Sequence, residues 1–273
     1  MSVMSEAAKV PAFVRRDLRI AASYRFGLAI GLAGLVGQVF AFSFISKLVN
    51  PAELPTYGHT HASYLEFVGI GIALNVVVFL LLHQLAKAIR TEQLIGTIES
   101  VLITPIKIGT LQIGSTLFVL LFVPLRLGLF VALIAVLFGL QLHVAGILPS
   151  VALMAAFLPF VWGLGLIGGA AVLTFRGGIG AVGTGSTLLG LGSGAFFPVT
   201  LLPSWLQAIS AWNPMALAIT GLRAALIGGA GWGSLGPTLI KLLAISVPAL
   251  IAGAVFFRLV LRRERRLGTI GLY

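Results

Sequence analysis

Six long apolar stretches alternate with short polar ones along the chain. They cover residues 26–46, 65–85, 112–140, 147–173, 179–198 and 239–261. A helix needs about 20 apolar residues to cross the hydrocarbon core of a bilayer. Each run is continuous rather than alternating, which predicts spanning helices and argues against the strands of a membrane barrel.

The polar intervals have patterns of their own. In "TEQLIGTIESVLI", Leu94, Ile95, Ile98, Val101 and Leu102 fall on one helical face, and Glu92, Gln93, Thr97, Glu99 and Ser100 on the other. Thr104 then caps and Pro105 opens the next helix. The pattern predicts an amphipathic helix over 91–104, on the cytoplasmic side between the second and third spans. A helix resting on an anionic leaflet favours Lys and Arg on its polar face. Glutamates there favour docking to a protein, with contact to the lipid surface alone as the alternative.

Before the first span, "PAFVRRDLRIAASYR" places Val14, Leu18, Ala21 and Ala22 on one face and Arg15, Arg16, Arg19 and Ser23 on another. This predicts an interfacial helix over 9–25 on the inner leaflet; a solvated basic tail is the competing reading. Between the fifth and sixth spans lies a stretch too apolar for an aqueous loop and too broken by Pro198, Pro203 and Pro214 for one straight span. Trp205, Ile209 and Trp212 share a helical face there, and tryptophans favour the headgroup level. Residues 198–236 are therefore expected to form two short helices dipping into the outer leaflet. A seventh span, the competing reading, would put the Arg-rich C-terminal end outside.

Composition agrees with a membrane protein. The 273 residues are 59% hydrophobic and 9% charged, with mean hydropathy +1.10, whereas a soluble domain carries about a quarter charged residues. The expected fold is a single all-α polytopic domain, 1–273. The net charge of +11 would suggest nucleic acid in a soluble protein. Here the basic residues gather in short segments: Lys9, Arg15, Arg16, Arg19 and Arg25; Lys87, Arg90 and Lys107; Arg176; and Arg258, Arg262, Arg263, Arg265 and Arg266. The opposite side has only Lys47, Arg223 and Lys241. That bias places both termini in the cytoplasm and removes the need for a nucleic-acid partner. No cleaved signal peptide is read, so the first span would direct insertion.

Candidate chemistry is sparse. The chain has no cysteine and no Gly-Lys dipeptide, hence no phosphate-binding Walker loop, and it cannot hydrolyse ATP by that route. Its only Asp, Asp17, sits beside arginines, and no Ser-His-Asp set gathers. The triplet His59 to His61 is a weak metal candidate and reads as a wet loop. No bound metal or cofactor is expected. Arg126 lies near the middle of the third span, where an arginine is costly. It either lines a path for an anionic head group or pairs with Glu66 or helix carbonyls. Gly165 with Gly169, and Gly190 with Gly194, have the spacing that lets helices approach closely in lipid.

Four stretches in order resemble the membrane subunit of type-2 ATP-binding-cassette exporters. "RRDLRIAASYR", with Arg15, Arg16, Asp17, Arg19, Tyr24 and Arg25, is similar to that family's interfacial helix. "EQLIGTIESVLITPI" is similar to its most recognisable segment, with Ile98 where Leu is commoner. "FFPVTLLPSWLQAISAWNPMALAITGLRAAL", with Pro198, Pro203, Asn213, Pro214 and Arg223, resembles its Pro-rich outer segment. "RRERRLGTIGLY" resembles its basic end. The resemblance implies that Glu92, Gly96, Thr97, Glu99, Thr104 and Pro105 belong to a coupling helix docked on a separate ATPase chain. It also implies a permease homodimer, with ATP and Mg held by the partner. The expected function is outward transport of an amphipathic or hydrophobic cargo, such as a drug-like molecule, a lipid or a lipid-linked glycan, across the plasma (inner) membrane. A membrane-anchored assembly subunit without its own path is the alternative.

Overall fold

The computed structural model describes Arg15, Arg19, Gly139 and residues 25–48, 54–57, 60–61, 63–95, 142–175 and 178–267. Helix α1 is Arg25–Ser46. A two-residue ladder, β1 (Thr56–Tyr57) against β2 (Thr60–His61), pairs Thr56 with His61 and Tyr57 with Thr60. Helix α2 is Tyr64–Ile95. It opens with a reciprocal cap: the Ser63 amide donates to Glu66 Oε2 at 2.8 Å, and the Glu66 amide to Ser63 Oγ at 3.2 Å. The Glu66 carboxylate, weighed above as a partner for Arg126, is thus engaged at a helix start.

A 3-10 turn, Val144–Gly146, leads into α3, Ile147–Thr174, and α4 follows as Gly178–Leu191. A second 3-10 turn, Val199–Leu201, precedes α5 (Ser204–Ser210) and α6 (Pro214–Leu226). The last described helix is α7, Trp232–Leu267, with Pro237 and Pro248 inside it.

Among the described residues, three helices are long and apolar enough to cross a membrane: Tyr64–Gln84, Val144–Thr174 and Trp232–Glu264. These coincide with the second, fourth and sixth expected spans. Helix α1, 22 residues long, occupies the first. The third, 112–140, lies outside the described residues apart from Gly139. The fifth differs from expectation. Its helix has 14 residues, about 21 Å at 1.5 Å per residue, and the chain turns before Pro198.

The core lies between α2, α3, α6 and α7, around Phe67, Val68, Ile72, Leu74, Leu153, Phe157, Met215, Ile219 and Leu242. Helix α7 presents a narrow buried seam of Leu235, Leu242, Ser246, Gly253, Phe257 and Glu264. Its opposite stripe, Ile240, Leu243, Val247, Ile251, Val255 and Leu259, is exposed. Along the seam α3 and α7 touch backbone to backbone. A Cβ at Gly163 would overlap the Ala249 carbonyl, and one at Gly253 would overlap the Gly163 carbonyl. Small residues permit this approach, and dispersion between the two backbones is what it gains.

Candidate functional site

Helix α4 ends in a run of small residues, "GLGSGA", at 190–195. The last carbonyls of any helix have no partner within it, and in lipid each would be costly to leave open. Here side chains supply the donors. Ser193 Oγ donates to the Gly190 carbonyl at 2.6 Å. Asn213 Nδ2 donates to Leu189 O at 3.2 Å, and Ser210 Oγ donates to Gly192 O. Gly194 turns the chain at φ 71°, a conformation that L side chains rarely adopt.

Arg223 completes this arrangement. It is 3% exposed. Its Nη1 donates to Gly194 O at 3.0 Å, Nη2 to Ala195 O at 3.2 Å and Nε to Phe67 O at 3.0 Å. The guanidinium lies 3.4 Å from the Phe67 ring centroid, and the Tyr57 hydroxyl interacts with it. No carboxylate among the described residues pairs with it. Its charge is met by three carbonyl dipoles, an aromatic face and a phenol, so desolvation is offset without an ion pair. Burial pushes the Tyr57 phenol above its ordinary value, and the charge and hydrogen bond of Arg223 only partly oppose this. Tyr57 therefore stays neutral beside a charged arginine at neutral pH. One side chain on α6 ties together β1, the first turn of α2 and the end of α4.

Asn213 has two jobs at this hub. Its Oδ1 accepts from the Met215 amide at 2.9 Å and caps α6, with Pro214 at the first helical position. Its Nδ2 holds the Leu189 carbonyl. Pro198 and Pro203 stand at the N-caps of the second 3-10 turn and of α5. Trp205, Ile209 and Trp212 are 63%, 61% and 77% exposed, so the face foreseen from their spacing is outward and unburied.

Other expected site residues are placed as follows. Arg15 and Arg19 are helical and exposed. Arg25 opens α1; Arg16, Asp17 and Tyr24 lie outside the described residues. Glu92 falls in the last turns of α2, which continues unbroken through residues 91–95. Gly96, Thr97, Glu99, Thr104, Pro105 and Arg126 lie outside the described residues. Among the glycine pairs, Gly190 packs within the chain, since a Cβ there would overlap the Asn75 amide.

Several side chains in these contacts do not stand out in the sequence: Tyr57, Phe67, Ser193, Ser210 and Glu264. Glu264 is 5% exposed and accepts from Thr174 Oγ1 at 3.3 Å, joining the ends of α3 and α7. Its signal is a lone acid within "RRERR".

A family model for the ABC-2 type transporter matches residues 13–227, through the end of α6. The chain belongs to the ABC-2 type transporter family. No curated protein matches it. As an ABC-2 permease it is a multi-pass membrane protein and the membrane transport subunit of an ABC system, a family that works with an ABC ATPase chain. The hub residues, from Tyr57 to Arg223, all fall within the matched region.

Proposed function

We propose that this chain is the permease half of an exporter that moves an amphipathic or hydrophobic cargo outward, driven by ATP hydrolysed on a partner chain. The observation that carries the reading is the family match across residues 13–227, which covers two of the three described helices of spanning length. The chain lacks a Gly-Lys dipeptide, so ATP and Mg belong to the partner.

In this reading the molecule has six spans and works as a homodimer in the plasma membrane. The positive-inside bias puts both termini and the 87–107 segment in the cytoplasm. Helix α2 then runs out of the bilayer: 32 residues make about 48 Å, against a hydrocarbon core of about 30 Å. Its end delivers Glu92 to the cytoplasm and leads into the segment carrying Gly96, Thr97, Glu99, Thr104 and Pro105, which docks on the ATPase. Trp205 and Trp212 would lie at the outer headgroups, and Arg126 would line the path.

The test is co-purification with the ATPase followed by hydrolysis assays in reconstituted membranes. Cargo should stimulate hydrolysis in the wild type. Gly96→Trp combined with Glu99→Lys should lower both association and stimulation. Wild-type values of both in that variant would remove the coupling assignment, and binding without any stimulation would favour a subunit that only assembles.

A further inference from the structure

Helix α2 leaves one line of side chains incompletely covered. Asn75, Phe79, His83 and Lys87 recur every four residues, so they follow one helix face. Phe79 is 46% exposed, Lys87 is exposed, and Asn75 and His83 are half-buried. Helix α4 meets this line antiparallel with glycines. A side chain at Gly190 would overlap the Asn75 amide, and a Cβ at Gly183 would lie 3.7 Å from His83 Nε2.

The polar groups on this line have partly assigned roles. His83 Nδ1 lies 3.0 Å from the Phe79 carbonyl. A carbonyl can only accept, so Nδ1 carries the proton. The imidazole stands 3.8 Å from the Phe79 ring, tilted by 30°. That fixes the ring and leaves Nε2 as the free nitrogen, on the side of Gly183 of α4. The Asn75 amide has no hydrogen-bond partner among the described residues. Hydrocarbon offers such groups nothing, and polar side chains on spanning helices mark wet paths. Between Glu66 and Glu92 α2 contains no acid, and α4 contains no charged residue.

We propose that this face binds the anionic head group of an amphipathic cargo. Lys87 attracts the charge, His83 Nε2 accepts from a hydroxyl of the head group, Asn75 donates two turns further along, and Phe79 covers the apolar part. The inference rests on the exporter reading and adds the charge class of the cargo.

Gly183→Cys in this cysteine-free chain reports on the face directly, because its Cβ makes only ordinary contact with His83. The full-length permease with its ATPase is labelled with a maleimide in the presence of dihexanoyl-phosphatidylglycerol or dihexanoyl-phosphatidylcholine. The anionic lipid should slow labelling about tenfold at a concentration where the zwitterionic one has little effect. Gly180→Cys, at an exposed position with nothing within 4 Å, should label equally in both. Lys87→Gln combined with His83→Ala should erase the difference. Equal protection by both lipids, or an unchanged difference in the double variant, would overturn the proposal. So would labelling that is slow without lipid and rises on dilution of the protein, since a second copy would then cover the face. The labelling needs no hydrolysis. Lost charge preference with intact cargo stimulation would sink this inference alone, and the reverse result would sink the exporter reading alone.

Discussion

Helices α2 and α4 are joined at their two ends by opposite means. At the hub end, polar side chains meet backbone: Arg223, Asn213, Ser210 and Ser193 supply donors to carbonyls in the last turn of α4 and in the chain just beyond it. Toward the other end, glycine meets side chain: a Cβ at Gly183 would lie 3.7 Å from His83 Nε2. At Gly180 and Gly185 of α4, an added Cβ would meet nothing within 4 Å. Irregular backbone in a membrane chain must be held by bonds, which makes the hub a single body. Regular helices satisfy their own backbone, so the far end does not require such bonds.

The largest expected effect comes from breaking the hub at its centre. Arg223→Met removes the charge and leaves the Gly194 and Ala195 carbonyls without this donor. The loss should be about 2–6 kcal/mol, at about 1–3 kcal/mol for each buried carbonyl left unpaired. Thermal unfolding in detergent would show it as a large drop in midpoint or as loss of monodisperse protein. Arg223→Lys keeps the charge but not the planar fork, and should recover part of the loss. Equal stability of Arg223→Met and wild type would mean the hub holds nothing.

The next effect lies outside both regions and sharpens the contrast. Gly163→Leu drives a side chain into the Ala249 carbonyl and should cost about 1–3 kcal/mol by overpacking. It should leave the labelling of Gly183→Cys unchanged, because the side chain at 163 meets Ala249 and Leu250 of α7. A smaller effect separates the two jobs of Asn213. Asn213→Ala loses the cap and the donor, about 1 kcal/mol for the cap alone. Asn213→Ser keeps an N-cap acceptor and loses only the donor to Leu189, so its midpoint should fall between Asn213→Ala and the wild type.

The smallest effect is a pH dependence at the hub. Burial holds the Tyr57 phenol above its ordinary 10.0. The folded state therefore retains a proton that the unfolded chain gives up. This contribution is whole below pH 10.0 and is lost as the pH rises through the folded-state value. Wild-type stability should fall more steeply than that of Tyr57→Phe above this pH, and the two curves should run parallel below it.

Much of the hub is legible in the sequence where its chemistry is local. Asn213 before Pro214 reads as a cap followed by a first helical turn, and Trp205, Ile209 and Trp212 read as one face. Both are decided within a few residues. Ser63-x-x-Glu66 carries an equally local capping signature, which a charge-pair reading of Glu66 overlooks. The burial of Arg223 is not legible, because its acceptors lie 28, 29 and 156 residues away. By charge alone it counts as an outer-side basic residue. The early end of α4 has the same origin: its composition permits a span to Pro198, and donors from α5 and α6 make it possible to stop sooner.

During transport the hub is expected to move as one body while the far ends of α2 and α4 change their surroundings. The deciding measurement is hydrogen exchange on the intact complex, with and without a trapped nucleotide. Protection should stay unchanged in residues 192–195 and in α6, and should alter in residues 83–95 of α2 and 178–185 of α4. Altered protection at 192–195 with none in those far segments would rule this motion out.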